Sequence, residues 1–104
     1  MTKKFGLKKE TIDGIHTILA KCAHIEKAIL YGSRAMGNYK TGSDIDLTLI
    51  GNQLTGKDVS LIQRELDDSD LPYLFDISIL TEIENLDLVD HINRVGKIFY
   101  KRRT

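Results

Sequence analysis

Residues 27–50 read "KAILYGSRAMGNYKTGSDIDLTLI". "KAILYG" (27–32) is a short β-like run that ends at Gly32, and "DIDLTLI" (44–50) alternates polar and apolar residues as a half-buried strand does. A polar, glycine-containing linker of about a dozen residues joins them, so the two strands can pair antiparallel. In the second strand Asp44, Asp46 and Thr48 share one face, and Ile45, Leu47 and Leu49 share the other. Residues two apart on one face lie roughly 6.5–7 Å apart at Cα. Carboxylates at that spacing can converge on one cation or on a pair of cations.

Outward from this stretch the chain continues the alternation of helix and strand. Towards the N-terminus, residues 1–7 read as a loose, basic leader. Ile12, Ile15, Ile18, Leu19 and Cys22 then mark the apolar stripe of a helix from Lys8 to about Cys22, weakened by Gly14. Towards the C-terminus, Thr55 with Asp58 resembles a capping box, and Val59, Ile62 and Leu66 fall on one helical face behind it. "DDSDLP" (67–72) is turn chemistry, and Pro72 stops the helix. "YLFDISIL" (73–80) is a second alternating strand. Thr81 and Glu84 predict another capping box, followed by a helix with Ile83, Leu86, Val89, Ile92 and Val95 as its stripe and Gly96 at its C-terminal cap. "KIFY" (97–100) adds a last short strand, and residues 101–104 read as a loose end. The expected class is α/β (α+β): one domain over residues 1–104, a small mixed sheet and helices mainly on one face.

Composition narrows the function. The 104 residues carry 15 basic and 15 acidic side chains, so bulk charge gives no pull towards nucleic acid or an anionic membrane. A 41% hydrophobic fraction supports a packed core. With Cys22 as the only cysteine there is no internal disulfide, and with no apolar run long enough to span a bilayer the expected location is cytoplasmic.

The strand over 73–80 repeats the logic of the first. Phe75, Ile77 and Ile79 form its apolar face, and Asp76 and Ser78 its polar one. If the two strands are neighbours with like faces aligned, Asp76 joins Asp44 and Asp46. Three carboxylates in one patch raise one another's pKa and oppose burial. Hard divalent cations relieve that conflict, and an all-oxygen set suits Mg²⁺. Gly32 lets the backbone approach a phosphate, the following amides and the Ser33 hydroxyl can donate to it, and Arg34 adds a positive fork. A phosphate cradle beside a carboxylate cluster is equipment for two-metal phosphoryl or nucleotidyl transfer. Each part alone is ordinary in a structural turn or a solvated strand edge; the conjunction carries the signal.

Gly32-Ser33, ten intervening residues, Asp44-x-Asp46 and a later strand aspartate, Asp76, resemble the polymerase-β-type nucleotidyltransferase superfamily. "YGSRAMGNYKTGSDIDLTLIG", "LPYLFDISIL" and "HINRVGKIFY" resemble, more narrowly, the minimal MNT proteins. The resemblance spans about residues 10–100. It implies the nucleotidyltransferase fold, two catalytic Mg²⁺ ions on Asp44 and Asp46, and Asp76 completing the second metal site and helping to deprotonate an acceptor hydroxyl. It implies ATP as substrate, with Gly32 and Ser33 on the β- and γ-phosphates and Arg34 and Ser43 in the nucleotide set. Met36 stands where similar proteins often carry a cation. The resemblance also implies a helical HEPN protein as partner and acceptor, receiving AMP on a hydroxyl, with this chain as antitoxin of a toxin–antitoxin pair. Homo- or hetero-oligomers are compatible with it. Two other functions compete: a non-catalytic subunit that neutralises its partner by binding, and a transferase for a small-molecule acceptor. The intact carboxylate triad argues against the first, and the scarcity of surface for an acceptor against the second.

Other residues give weaker signals. His16, His24 and His91 show no metal-ligand spacing and are expected to be structural or surface groups, with His91 able to touch a partner. Cys22 fits a helix core position. Tyr39 and Lys40 belong to a solvated loop, and "KRR" (101–103) to a solubilising tail. Asn38 follows Gly37, so no P-loop is present and a P-loop kinase or ATPase is excluded.

Overall fold

The structure, a computed structural model, describes residues 4–103. Residues 1–3 and 104, parts of the expected loose ends, lie outside the described residues. The elements follow in the order α1 (Lys9–Ala20), β1 (Lys27–Tyr31), α2 (Ser33–Met36), β2 (Ile45–Ile50), α3 (Gly56–Asp68), β3 (Phe75–Ile79), α4 (Leu86–Val95) and β4 (Lys97–Lys101). The strands form one mixed sheet in the order β3-β2-β1-β4. β1 is antiparallel to β2, as the short β1–β2 linker predicts, and it is also antiparallel to β4. β2 and β3 run parallel, with α3 in the crossover that parallel pairing requires.

One face of the sheet carries the core. Ala28 and Leu30 of β1, Ile45, Leu47 and Leu49 of β2, and Phe75 and Ile77 of β3 meet Ile15 and Leu19 of α1 and Ile62 and Leu66 of α3. Full burial of each Leu or Ile contributes about 1.5–3 kcal/mol, which makes this face the main source of stability. The α3 cap forms as predicted: the Asp58 amide donates to Thr55 Oγ1 at 3.3 Å, and the Thr55 amide to Asp58 Oδ2 at 3.0 Å. His16 donates from Nε2 to the Phe99 carbonyl at 2.7 Å, pinning α1 to β4.

The last helix starts later than the pattern predicts. Leu80–Glu82 forms a single 3₁₀ turn, so Thr81 caps nothing, and Ile83 lies before the helix. Asn85 is the N-cap, its Oδ1 accepting from the amides of Asp87 and Leu88 at 3.0 and 3.2 Å. α4 lies on the sheet face opposite α1 and α3, against β1. Gly96 ends it without left-handed backbone (φ −59°). Glycine is needed there for closeness: a Cβ would overlap the Ile92 carbonyl oxygen and stand 2.7 Å from Ile29 Cγ2.

The chain ends are tied down further than the composition suggests. Leu7 is completely buried in the core, and Lys4 and Leu7 exchange backbone hydrogen bonds of 3.1 and 2.9 Å. Arg102 donates from its amide to the Glu26 carbonyl at 2.9 Å and from Nη1 to the Ala23 carbonyl at 2.6 Å. One leucine in a basic leader carries no periodicity, so only the cavity built by distant elements reveals where it goes. No helix of the described residues is long and apolar enough to cross a membrane.

Candidate active site

The sheet face that α4 covers at β1 holds the polar residues. The β1–β2 register sets Tyr31 opposite Asp46, and the β2–β3 register sets Asp46 opposite Asp76. One row across three strands therefore reads Tyr31, Asp46, Asp76, with adjacent members about 4.8 Å apart along the sheet. In the next row Ser78 Oγ donates to Thr48 Oγ1 at 2.9 Å, which satisfies the fully buried Thr48. Asp44 is exposed and lies just before β2, two residues ahead of Asp46.

β1 ends at this row, and Gly32 follows with φ +76°, a left-handed conformation that favours glycine. A Cβ there would overlap Asp46 Oδ2, so the turn and the central carboxylate are in direct contact. The single helical turn α2 begins at Ser33, whose amide lies ahead of the first intrahelical bond, from the Met36 amide to the Gly32 carbonyl at 3.1 Å.

Burial, first, and then the neighbouring Asp76 and Asp44 push the Asp46 carboxyl above its ordinary value of 3.8; His91 opposes them. Burial and Asp76 likewise raise the Tyr31 phenol, against a hydrogen bond with Ser78 that lowers it. The repulsion predicted for the carboxylate patch is thus expressed on its central member. A hard divalent cation fits this set of oxygen donors: it would offset the charge that disfavours ionised Asp46. Asp44 and Asp76 are exposed, and Asp46 is half-buried between them. Among the described residues, the only group of three ligand side chains with donor atoms within 4.8 Å of one another is Cys22, His24 and Asp58, at the other end of the sheet.

Arg34, expected in the nucleotide set, is placed by the structure in a buried brace. It is 3% exposed. Its Nε and Nη2 donate to the Ser43 carbonyl at 3.1 and 2.9 Å, and its Nη1 to the Phe5 carbonyl at 2.9 Å. The rings of Tyr39 and Tyr73 lie 5.3 and 5.0 Å from the guanidinium carbon. The fork is directed at backbone carbonyls because the 37–44 loop folds back over it. Ser43 serves the same brace: its carbonyl accepts Arg34, and its Oγ accepts the Lys40 amide at 2.8 Å. Tyr39 belongs to this brace and not only to a solvated loop.

His91 is the neighbour the sequence reading set aside. The Gly32 amide donates to its Nε2 at 3.2 Å, and its ring stands edge-on to Tyr31 with centroids 6.2 Å apart. One signal was available in the sequence. His91 lies three residues after Leu88 and four before Val95, inside the stripe that α4 turns towards the sheet.

These features agree with comparisons to known proteins. The sequence model of the family described as "Polymerase beta, Nucleotidyltransferase" matches residues 13–104. A search of curated protein sequences gave no match. Among solved structures, a toxin–antitoxin crystal structure with AMP-PNP superposes with a TM-score of 0.72 at 20% identity, over 88% of this chain and 74% of that one. The complex of a tri-AMPylated Shewanella oneidensis HEPN toxin with its MNT antitoxin gives 0.67 at 18% identity, covering 90% and 72%. A crystal structure described as a putative nucleotidyltransferase from Sulfolobus solfataricus gives 0.58 at 20%, covering 90% and 79%. At these identities the solved structures speak for the fold, and the family match for the lineage: the chain belongs to the polymerase-β nucleotidyltransferase family.

Proposed function

We propose that this protein is a Mg²⁺-dependent protein adenylyltransferase that moves AMP from ATP to a hydroxyl on a helical HEPN partner, and so acts as the antitoxin of the pair. The observation that carries the reading is the row Tyr31–Asp46–Asp76 with Gly32 seated against Asp46. It sets the Gly32-Ser33 turn, which this reading assigns to phosphate, directly against the carboxylates of one sheet face. The likeness to antitoxin structures, one with AMP-PNP and one beside an AMPylated toxin, supports the choice of nucleotide and partner.

In this reading Gly32 and Ser33 hold the β- and γ-phosphates. Asp44 and Asp46 would hold the metal ions, and Asp76 would complete the second metal position. When bound, Mg²⁺ would neutralise the carboxylates and draw charge from the α-phosphate. The acceptor oxygen bonds to the α-phosphorus, the bond from that phosphorus to the bridging oxygen breaks, and pyrophosphate leaves. Asp76, the most exposed carboxylate of the row, takes up the hydroxyl proton. Tyr31, Thr48 and Ser78 form the floor beneath. His91 holds the Gly32 amide from the α4 side and keeps the turn in register with Asp46.

The test is transfer of label from α-labelled ATP to a purified HEPN protein in the presence of Mg²⁺. Wild type should label the partner; the Asp44→Asn/Asp46→Asn double variant should not, while keeping its fold. Equal labelling by both would defeat the proposal. Neutralisation of the partner by the inactive double variant would favour a purely binding antitoxin.

A further inference from the structure

At the end of the sheet remote from Gly32, the loop between α1 and β1 meets the start of α3. Cys22 and His24 come from the loop, and Asp58 from the first turn of the helix. Donor atoms of all three lie within 4.8 Å of one another. They line one side of a cleft of about 360 Å³, whose other walls include Lys21, Leu61 and Glu65. We propose that Cys22, His24 and Asp58 form a second metal site, selective for a borderline-soft divalent cation such as Zn²⁺ and separate from the nucleotide site.

The donor types set the selectivity. A thiolate with an imidazole and a carboxylate suits Zn²⁺, whereas Mg²⁺ prefers oxygen alone. A tetrahedral zinc holds its donors about 3.3–3.6 Å apart. His24 Nδ1 and Asp58 Oδ2 share a 2.9 Å hydrogen bond, so a bound ion would replace that bond, displace the proton it carries, open the pair by a few tenths of an ångström and draw Cys22 Sγ in from within 4.8 Å. The bonds that Asp58 receives from the Thr55 amide and from His24 both fall on Oδ2, and Oδ1 accepts no hydrogen bond among the described residues. The nearby Lys21 ammonium, which would oppose a cation, is held by Glu65 at 3.0 Å. Three protein ligands leave the fourth position to water. A bound ion would clip the α1–β1 loop to α3 across 34 residues of chain. Its distance from the nucleotide site is at least the length of β1, about 13 Å.

Co²⁺ is the probe, because a thiolate ligand gives it a sulfur-to-metal charge-transfer band and tetrahedral coordination gives it intense visible bands. Wild type should show both at one ion per chain, and Zn²⁺ should displace the Co²⁺. Cys22→Ser should lose the charge-transfer band, and His24→Gln should weaken binding. The Asp44→Asn/Asp46→Asn variant should keep the full spectrum, which separates this site from the catalytic carboxylates. Zn²⁺ should also raise the melting temperature of wild type and not that of Cys22→Ser. The proposal falls if wild type shows no charge-transfer band, if the band survives Cys22→Ser, or if it is lost with Asp44 and Asp46.

Discussion

Replacing Arg34 by leucine separates two roles that the sequence alone leaves open. If the residue contacted phosphate, Arg34→Leu would weaken nucleotide binding and leave the fold as stable as before. The structure predicts the reverse order of effects. Leucine fills much of the space of the arginine stem and cannot donate, so the Ser43 and Phe5 carbonyls lose their partners. An orphaned buried acceptor costs about 1–3 kcal/mol, and there are two. The contacts with Tyr39 and Tyr73 add about 0.5–1 kcal/mol each. Part of this returns, because no carboxylate among the described residues pairs with the buried guanidinium and its desolvation is relieved. The net loss is about 2–4 kcal/mol, and a domain of this size then melts roughly 10–25 °C lower. Urea or thermal unfolding of purified protein, followed by far-ultraviolet circular dichroism, reads it directly. Arg34→Lys should fall between, since one ammonium cannot serve both carbonyls. A melting temperature within about 2 °C of wild type, together with lost ATP binding, would refute this account of Arg34.

Three further outcomes follow from the same geometry. Asp46→Asn should stabilise the metal-free protein at pH 7: a carboxyl with a raised folded-state pKa favours folding fully below its unfolded value near 3.8 and loses that contribution as pH rises through the folded value. The advantage of Asp46→Asn should therefore shrink to nothing below about pH 4 in a series of thermal melts, and Mg²⁺ should stabilise wild type more than the variant. Gly32→Ala should destabilise by about 1–3 kcal/mol, measured by urea titration, because alanine must adopt φ +76° and displace the Asp46 carboxylate; label transfer should fall with it. Thr55→Ala should cost about 1 kcal/mol by removing one half of the capping box, and should leave label transfer to the partner unchanged, since α3 starts far from Gly32.

Much of the fold was legible because its signals are local. The alternation in 44–50 and 73–80 assigned Asp46, Thr48, Asp76 and Ser78 to polar faces, and the Thr55–Asp58 spacing predicted a cap that forms with both of its hydrogen bonds. The second cap misled for a local reason too. Thr81 and Glu84 have the right spacing, but Asn85 is a stronger cap one turn later, and the 3₁₀ turn takes up the residues between. The placements of Leu7, Arg34 and Arg102 were not legible because each is set by elements far away in the chain, and a leader or a linker has no period from which a partner can be inferred.

By itself the sequence determined which residues share a strand face and that β1 and β2 could fold back on each other. Those properties depend on the two-residue strand repeat and on a short connection, both written in neighbouring residues. Only the tertiary structure decided that β3 pairs parallel to β2 in the register that sets Asp76 beside Asp46, that Arg34 turns inward to two carbonyls, and that His91 meets the Gly32 amide. Register between strands joined through α3, and the direction of a side chain in a folded loop, follow from packing the whole core at once: sliding β3 by one residue would turn Phe75, Ile77 and Ile79 out of the core and Asp76 into it.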